Sequence, residues 1–355
     1  MAHNKLENIS KGEGRFYLLD LLRFFAAMAV VFYHYSIYFE QSDFCGLIKL
    51  TYFGYLGVPF FFILSGFVIT SSALNRDPLR FALSRVVRLY PAFWGGLLFA
   101  VCINFALGDR LFTFKEVLLN ATILNDYLGV RNIDDVFWTL QAELKFYGCV
   151  FLLLTFNLFK SFYYWLTGWL SLAILHYFTS EPSAMGIFIN PSYSFYFIGG
   201  VCCCLIHKYR GDIRLILMLC IATVFSMLAA FGQVNSFYPS ANEADHIIVM
   251  LVVLSFYVLF YLFAIGKMTI NPFYGVRFLG AISYPLYLIH NFSGKLIINE
   301  LILFTSTFTA VCITIFLILL VSAFIHLFIE KKLAPLLNKV GNKLIHFLVS
   351  SPKLK

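Results

Sequence analysis

Long uninterrupted apolar segments constrain this chain's fold more than any other feature. Ten segments of near-membrane length can be read along its 355 residues. A helix needs about 20 apolar residues to cross a bilayer, whereas a barrel strand alternates over about 10 residues. The sequence therefore predicts an all-α integral membrane protein with about ten transmembrane helices. Their expected bounds are 17–39, 50–73, 86–107, 136–159, 162–179, 190–206, 214–232, 247–265, 278–298 and 305–329.

The composition leaves little room for a separate soluble domain. Hydrophobic residues make up 61% of the chain and charged residues 12%, whereas about a quarter of the residues in soluble domains are charged. We expect one membrane-embedded domain over 1–355, with a short segment 1–16 before the first helix and a basic tail 330–355. The first apolar segment is too long for the core of a signal peptide, which favours a signal anchor.

Charge in the loops predicts the orientation of the chain. Most of its 26 Lys and Arg residues fall in loops of one side and few in loops of the other. The positive-inside rule then places both termini in the cytoplasm, which requires an even number of helices. The net charge of +8 is explained by this distribution, so no nucleic-acid partner is expected. The basic tail is expected on the inner leaflet. The basic residues predicted on the other side are Lys49, Arg110, Lys115 and Arg131.

The cysteines do not indicate a metal site. Most lie in apolar segments, and the consecutive residues 202–204 would point about 100° apart on a helix, away from any common ion. They are interpreted as small packing residues.

Arg23 and His34 are ionisable residues within the first apolar segment, eleven positions apart. At about 100° per residue they share one face of a helix, roughly 16 Å apart along its axis. A charge at mid-membrane costs about 2.5–3.5 kcal/mol on insertion scales, so such residues usually face a protein interior and serve a function. Asp20 can pair with Arg23 at the i,i+3 spacing. His34 suits proton transfer near neutral pH, as a general base or activator.

Four further polar groups lie in or next to the apolar segments. Glu143 and Tyr147 are four residues apart and share a helix face. The arginines of Arg85-Val86-Val87-Arg88 can bind phosphate bidentately, although they can equally set topology or bind lipid headgroups. Tyr287 and His290 form part of a polar stripe in the ninth segment. Glu330 ends the last segment and is expected to pair with a nearby cation.

The order and spacing of these residues resemble those of the acyltransferase-3 family of polytopic membrane O-acyltransferases. The matching motifs are Leu19-Asp20-Leu21-Leu22-Arg23 with His34, Gly57-Val58-Pro59, Phe61-Phe62-Ile63-Leu64-Ser65-Gly66-Phe67, Arg85 and Arg88 before Tyr90-Pro91, Trp138-Thr139-Leu140 with Glu143 and Phe146-Tyr147, Ser283-Tyr284-Pro285-Leu286-Tyr287-Leu288-Ile289-His290, and Glu330.

The resemblance implies transfer of an acyl group, usually acetyl, from cytoplasmic acyl-CoA to a sugar hydroxyl of a surface or lipid-linked polysaccharide of the O-antigen or exopolysaccharide type. It implies that His34 is the central catalytic residue with Arg23 as its partner, and that Arg85 and Arg88 hold the phosphates of the coenzyme. Glu143 is expected to be a further catalytic residue and is the first candidate for a direct partner of His34. The residues expected to line the site are Asp20, Tyr147, Trp138, Ser65, Tyr287 and His290.

Acetyl-CoA is therefore expected as the acyl donor, with no metal. The resemblance further implies a bacterial inner-membrane protein that contacts lipids, a glycan acceptor and polysaccharide-assembly proteins. Some members carry a soluble acyl-handling domain after the last helix; this chain is expected to complete the transfer itself or to use a separate protein. Two other classes stay open, a proton-coupled transporter or flippase and a non-catalytic scaffold. Intramembrane Arg, Glu and His suit a carrier too.

Overall fold

The computed structural model describes residues 17–40, 48–181, 185–268, 270 and 274–350. These residues form helices and turns and contain no β-strand. The predicted segment 1–16 and the last five residues of the predicted tail lie outside the described residues. The longer helices are α1 Tyr17–Glu40, α2 Gly57–Ala73, α3 Pro78–Leu107, α4 Trp138–Thr155, α5 Phe162–Thr179, α6 Ser194–Lys208, α7 Ile213–Phe237, α8 Glu243–Ala264, α9 Tyr274–Ile289, α10 Phe292–Leu301, α11 Thr307–Phe324 and α12 Lys331–Ser350.

Shorter elements connect these helices. They are the helices Ile48–Tyr52, Phe114–Asn120 and Met185–Phe188, the 3₁₀ turns Phe53–Leu56, Asn125–Leu128, Asp135–Phe137 and Pro191–Tyr193, and the π-helical segment Ile325–Glu330.

Seven helical segments of the described chain are long and apolar enough to cross a membrane. The prediction of an all-helical, multi-pass membrane protein is confirmed at this level, while the count of ten and the orientation of the termini stay predictions. The seven segments are Tyr17–Tyr38, Lys49–Ala73, Pro78–Leu107, Asp135–Thr155, Ile213–Phe237, Glu243–Ala264 and Thr307–Ser350.

The other three predicted segments are helical but fall short of this criterion, each for its own reason. Tyr, Trp and His side chains lower the hydropathy of α5. Helix α6 has 15 residues, and its residues 194–206 are all buried by neighbouring helices. The predicted segment 278–298 is interrupted at His290 and Asn291, which separate α9 from α10.

A close contact between α2 and α6 fixes the helix that carries Ser65. A Cβ atom on Gly66 would lie 2.2 Å from the carbonyl oxygen of Phe197, and one on Gly200 would lie 1.9 Å from that of Ile63. Glycine at both positions therefore lets the two backbones touch, as small residues do at membrane helix interfaces. Helix α4 packs beside α2, α3 packs against α4, and α9 packs against α1 and α3.

The segment between α3 and α4 folds back along α3 toward the middle of that helix. The Tyr90 hydroxyl donates a hydrogen bond to the carbonyl oxygen of Thr122 at 2.9 Å, and the Trp94 indole donates to that of Ala121 at 3.0 Å. We call the end of the bundle where α1 and α3 finish the loop end, and the end where α3 begins the basic end.

The predicted basic tail is helical and extends the last apolar helix. The π-helical segment joins α11 to α12, and α12 runs along the first turns of α3. A Cβ atom on Gly341 would lie 2.2 Å from Leu83. This part of the tail thus packs on the protein at the basic end, although apolar side chains such as Val340 and Leu344 stay exposed.

Candidate active site

Two neighbouring cavities contain most of the residues that the sequence singles out. The first, which we call the arginine cavity, has a volume of about 130 Å³. The second, the histidine cavity, has a volume of about 150 Å³ and is bordered by His34. Val58 and Tyr287 line both cavities and so form the wall between them. The polar residues around the arginine cavity are Arg23, Ser65, Arg85, Arg88, Thr139, Glu143, Tyr147, Ser283, Tyr284 and Tyr287.

Glu143 is held by two hydroxyl groups. Ser65 donates a hydrogen bond to Oε1 of Glu143 at 2.6 Å, and Tyr147 donates to the same oxygen at 2.7 Å. The Tyr147 contact joins positions i and i+4 of α4, while Ser65 comes from α2. Hydrogen bonds to a carboxylate are stronger than those between neutral groups. The bonds from Ser65 and Tyr147 therefore fix the Glu143 carboxylate at the junction of α2 and α4.

The three arginines of the cavity differ in their surroundings. Arg23 pairs with Asp20 at 3.3 Å, which matches the predicted i,i+3 pair. Arg85 lies over the ring of Tyr147, with 5.9 Å between Cζ and the ring centroid. Such an approach allows a cation–π interaction.

Arg88 pairs with Glu330 across the fold, at 2.7 Å between Nη1 and Oε1. The prediction that Glu330 pairs with a cation is confirmed. His326 contacts the second carboxylate oxygen of Glu330 at 2.8 Å. This pair fastens the basic end of α3 to the π-helical segment.

The arginine cavity presents groups that can bind an anion. Three guanidinium groups, from Arg23, Arg85 and Arg88, line it together with the Glu143 carboxylate, while Asp20 and Glu330 pair with Arg23 and Arg88. Guanidinium groups match the geometry of phosphate oxygens. The cavity can therefore bind a phosphorylated molecule that also has an apolar part, since Phe61, Leu64 and Ile69 are among its other lining residues.

His34 borders the other cavity and has different neighbours from those expected. Its ring centroid lies 5.1 Å from that of Tyr33 and 5.1 Å from that of His290. Glu143 instead lines the arginine cavity with its two hydroxyl donors. Among the described residues, the expected pairing of Glu143 with His34 is therefore wrong. The two residues line different cavities, and the wall formed by Val58 and Tyr287 lies between them.

The histidine cavity has aromatic walls with polar edges. Such rings combine an apolar face with a hydrogen-bonding group, so this cavity suits a ligand with both hydroxyl groups and apolar faces. Besides His34 its polar and aromatic lining residues are Tyr33, Tyr55, Asp135, Trp138, Tyr193, Tyr196, Gln233, Phe237 and Tyr287.

The remaining predicted site residues occupy several places. Trp138 lines the histidine cavity, and the Tyr287 hydroxyl lies 3.0 Å from the Thr139 hydroxyl. Asp20 lines neither cavity and acts through its pair with Arg23. His290 also lines neither and is fully buried behind His34.

Sequence reasoning missed the group that organises the break between α9 and α10. Asp134, 1% exposed, accepts hydrogen bonds from the Asn291 side chain and from the backbone N–H of Phe292, both at 2.9 Å. A carboxylate just before an apolar segment, and an asparagine within one, were the available signals. Neither indicates its partner, because 157 residues separate Asp134 from Asn291.

Comparisons with known proteins point to one kind of chemistry. Residues 16–327 match a family described as an acyltransferase domain. A protein of Acidianus two-tailed virus named as an acetyltransferase is 30% identical over 34% of this chain and 36% of its own length. The acyltransferase MdmB of Streptomyces mycarofaciens is 29% identical over 36% of each chain. The chain thus spans little more than a third of these curated relatives, and no solved structure matches it.

Proposed function

The chain belongs to the acyltransferase-3 family, and from this premise we propose that it is a membrane O-acyltransferase. It transfers an acyl group, which we expect to be acetyl, from acyl-CoA to a sugar hydroxyl of a surface or lipid-linked polysaccharide. The observation that carries the proposal is the pair of adjoining cavities, one with three arginines and one with His34.

The arginine cavity receives the donor in this proposal. Coenzyme A carries phosphate groups at one end and the thioester at the other. Arg85 and Arg88, at the basic end, hold the phosphates, and Arg23 lines the same cavity. The thioester is then directed toward the wall of Val58 and Tyr287. On the other side of this wall, His34 borders the histidine cavity, which receives the acceptor.

His34 supplies the proton transfer. As general base it takes the proton of the acceptor hydroxyl, the hydroxyl oxygen attacks the thioester carbonyl, and the carbon–sulfur bond breaks. The proton then passes to the leaving thiolate, so that the products are the O-acyl sugar and free coenzyme A. The alternative route acylates His34 first and transfers the group afterwards. A general base contributes about 10²–10⁴-fold to a rate.

The setting of the reaction follows from the predicted orientation. With both termini in the cytoplasm, the basic end faces the cytosolic acyl-CoA, and the loop end faces the outside of a bacterial inner membrane. Membrane lipids and a lipid-linked acceptor would meet the protein there, together with polysaccharide-assembly proteins.

The test is acyl-CoA-dependent O-acetylation in membranes that contain the full chain. Release of coenzyme A and formation of an O-acetyl sugar are measured with acetyl-CoA and a lipid-linked saccharide. We expect His34→Gln to lower kcat at least 100-fold, and His346→Gln, at an exposed position of α12, to leave it unchanged. Full activity of a folded His34→Gln variant would refute the mechanism, and a wild-type chain that releases no coenzyme A would refute the function.

The donor site has its own test. We expect Arg85→Gln to raise the KM for acetyl-CoA about tenfold, which corresponds to about 1.4 kcal/mol of binding free energy. The matched control is Arg80→Gln, because Arg80 is exposed at the start of α3. Equal KM values for both variants would show that Arg85 does not contact the donor.

A further inference from the structure

His290 has one nitrogen bonded and the other buried without a partner among the described residues. Its Nδ1 lies 2.7 Å from the carbonyl oxygen of Tyr287. A carbonyl oxygen can only accept, so Nδ1 carries the proton. The ring is fully buried, and Nε2 makes no hydrogen bond to the described part of the chain. In the neutral ring, Nε2 is therefore an acceptor that lacks a donor.

The backbone around His290 is fixed from three directions. The Tyr35 hydroxyl donates to the carbonyl oxygen of His290 at 2.7 Å, and Tyr35 is itself fully buried. Asp134 accepts from Asn291 and from the Phe292 backbone at the next two positions. The break between α9 and α10 thus holds the imidazole in place.

The imidazole next to His290 on α1 is that of His34. The two ring centroids are 5.1 Å apart and the planes are inclined at 53°. A hydrogen bond to Nε2 of His290 at the normal length of about 2.9 Å requires a rotation of His34 about its side-chain bonds. His34 borders a cavity and so has space for this rotation, whereas His290 does not.

We propose that His290 is a positioning residue for His34, whose N–H it accepts at Nε2. This inference rests on the proposed function of the site. The bond leaves the lone pair of the other His34 nitrogen directed at the histidine cavity, where the acceptor hydroxyl would bind. A group that orients a catalytic imidazole and fixes its tautomer serves the same purpose in other enzymes. His290 does not touch the substrate and needs no change in its own protonation.

Two substitutions at one position separate positioning from packing. In His290→Gln, the side-chain oxygen can occupy the place of Nε2 and accept from His34. In His290→Asn, the shorter amide can replace the Nδ1 donor to the Tyr287 carbonyl, but nothing accepts from His34. We expect Asn to lower kcat about 100-fold with little change in KM, and Gln to restore at least a third of the wild-type kcat.

Nitrogen NMR of the histidine-labelled, solubilised full chain gives a readout that needs no activity. His34→Gln assigns the His34 signals among the eight histidines. We expect His290→Asn to shift the tautomer equilibrium of His34 and His290→Gln to preserve it. Wild-type kcat and unchanged His34 signals in a folded His290→Asn variant would overturn the inference. If the wild-type chain shows no acyl transfer but the His34 signals respond to the two His290 substitutions as expected, the proposed function is refuted and the positioning role is supported.

Discussion

At the scale of single residues, Glu143 determines the charge balance of the arginine cavity. Its carboxylate accepts from Ser65 and Tyr147 through one oxygen, and it faces the cavity together with three guanidinium groups. This carboxylate adds to the charge compensation that Asp20 provides for Arg23 and Glu330 provides for Arg88.

Removing this carboxylate should lower both stability and activity. Glu143→Ala leaves the Ser65 and Tyr147 hydroxyls without their acceptor, which costs about 1–3 kcal/mol for a buried polar group. Glu143→Gln keeps an acceptor oxygen but removes the charge. We expect the apparent unfolding temperature in detergent to fall in Glu143→Ala and to fall less in Glu143→Gln, with acyl transfer reduced at least tenfold in both.

The control for these variants is Glu300→Gln, at an exposed position of α10. It should match the wild-type chain in unfolding temperature and acyl transfer. If Glu143→Ala behaves in the same way as this control, the two hydroxyl contacts contribute nothing measurable.

At the scale of elements, the contact of α2 with α6 places Ser65 opposite α4. Gly66 and Gly200 allow that approach, and α6 has no room to move because it is enclosed by other helices. The position of the Glu143 site therefore depends on a backbone contact that carries no chemistry of its own.

A single methyl group should disturb this contact. Gly200→Ala puts a Cβ where the carbonyl oxygen of Ile63 lies, and overpacking of this kind costs about 1–3 kcal/mol. We expect a lower unfolding temperature and weaker acyl transfer. Gly168→Ala on α5 makes the same chemical change with nothing within 4 Å, so its stability should be unchanged or raised by up to about 1 kcal/mol. Equal stability of the two variants would contradict the close α2–α6 contact.

The break between α9 and α10 should make stability depend on pH through Asp134. Burial raises the pKa of this carboxyl from 3.8 to about 6, although hydrogen bonds from Asn291 and Phe292 oppose the rise. The folded state then binds the proton more tightly than the unfolded chain. The protonated Asp134 side chain therefore stabilises the folded state fully below about pH 4, and this stabilisation is lost as pH rises toward 6. The loss is roughly 3 kcal/mol, at about 1.4 kcal/mol per pKa unit.

From pH 4 to pH 7, the unfolding temperature of the wild-type chain should therefore fall relative to that of Asp134→Asn. Asp109→Asn, in an exposed loop, should follow the wild type at every pH. A wild-type curve parallel to that of Asp134→Asn across this range would show that folding does not raise the pKa of Asp134.

At the scale of the whole molecule, basic side chains and the arginine cavity share one end of the bundle. Arg85 and Arg88 lie on the first turns of α3, and the lysines of α12 extend beside them. If the positive-inside rule holds, this end faces the cytosol. The arginine cavity, which we propose binds the acyl-CoA donor, would then open toward the side that holds acyl-CoA.

Reporter fusions can test this orientation. Alkaline phosphatase, which is active only outside the cytoplasm, should be active when fused after residue 131 and inactive when fused after residue 355. A fluorescent protein fused after residue 355 should fluoresce. The opposite pattern of reporter activity would show that the chain has the reverse orientation, with the arginine cavity on the side away from cytosolic acyl-CoA.

The sequence predicted those parts of the site that lie on one helix. The spacing of Asp20 and Arg23 predicted the pair that the structure contains. The spacing of Glu143 and Tyr147 predicted a shared helix face, on which the structure places a hydrogen bond between them. The apolar segments predicted the helices, because a backbone in lipid must satisfy its own hydrogen bonds. Helical periodicity is a local property, so it can be read from a few neighbouring residues.

Contacts between distant parts of the chain were decided by tertiary structure. Ser65 reaches Glu143 across 78 residues and Arg88 reaches Glu330 across 242. His34 lies next to His290 and not next to Glu143. The sequence therefore determined a helical membrane protein, with its ionisable residues assigned to helix faces. Only the packing of those helices decided which faces meet, because side-chain fit between helices is set by three-dimensional geometry that no local pattern encodes.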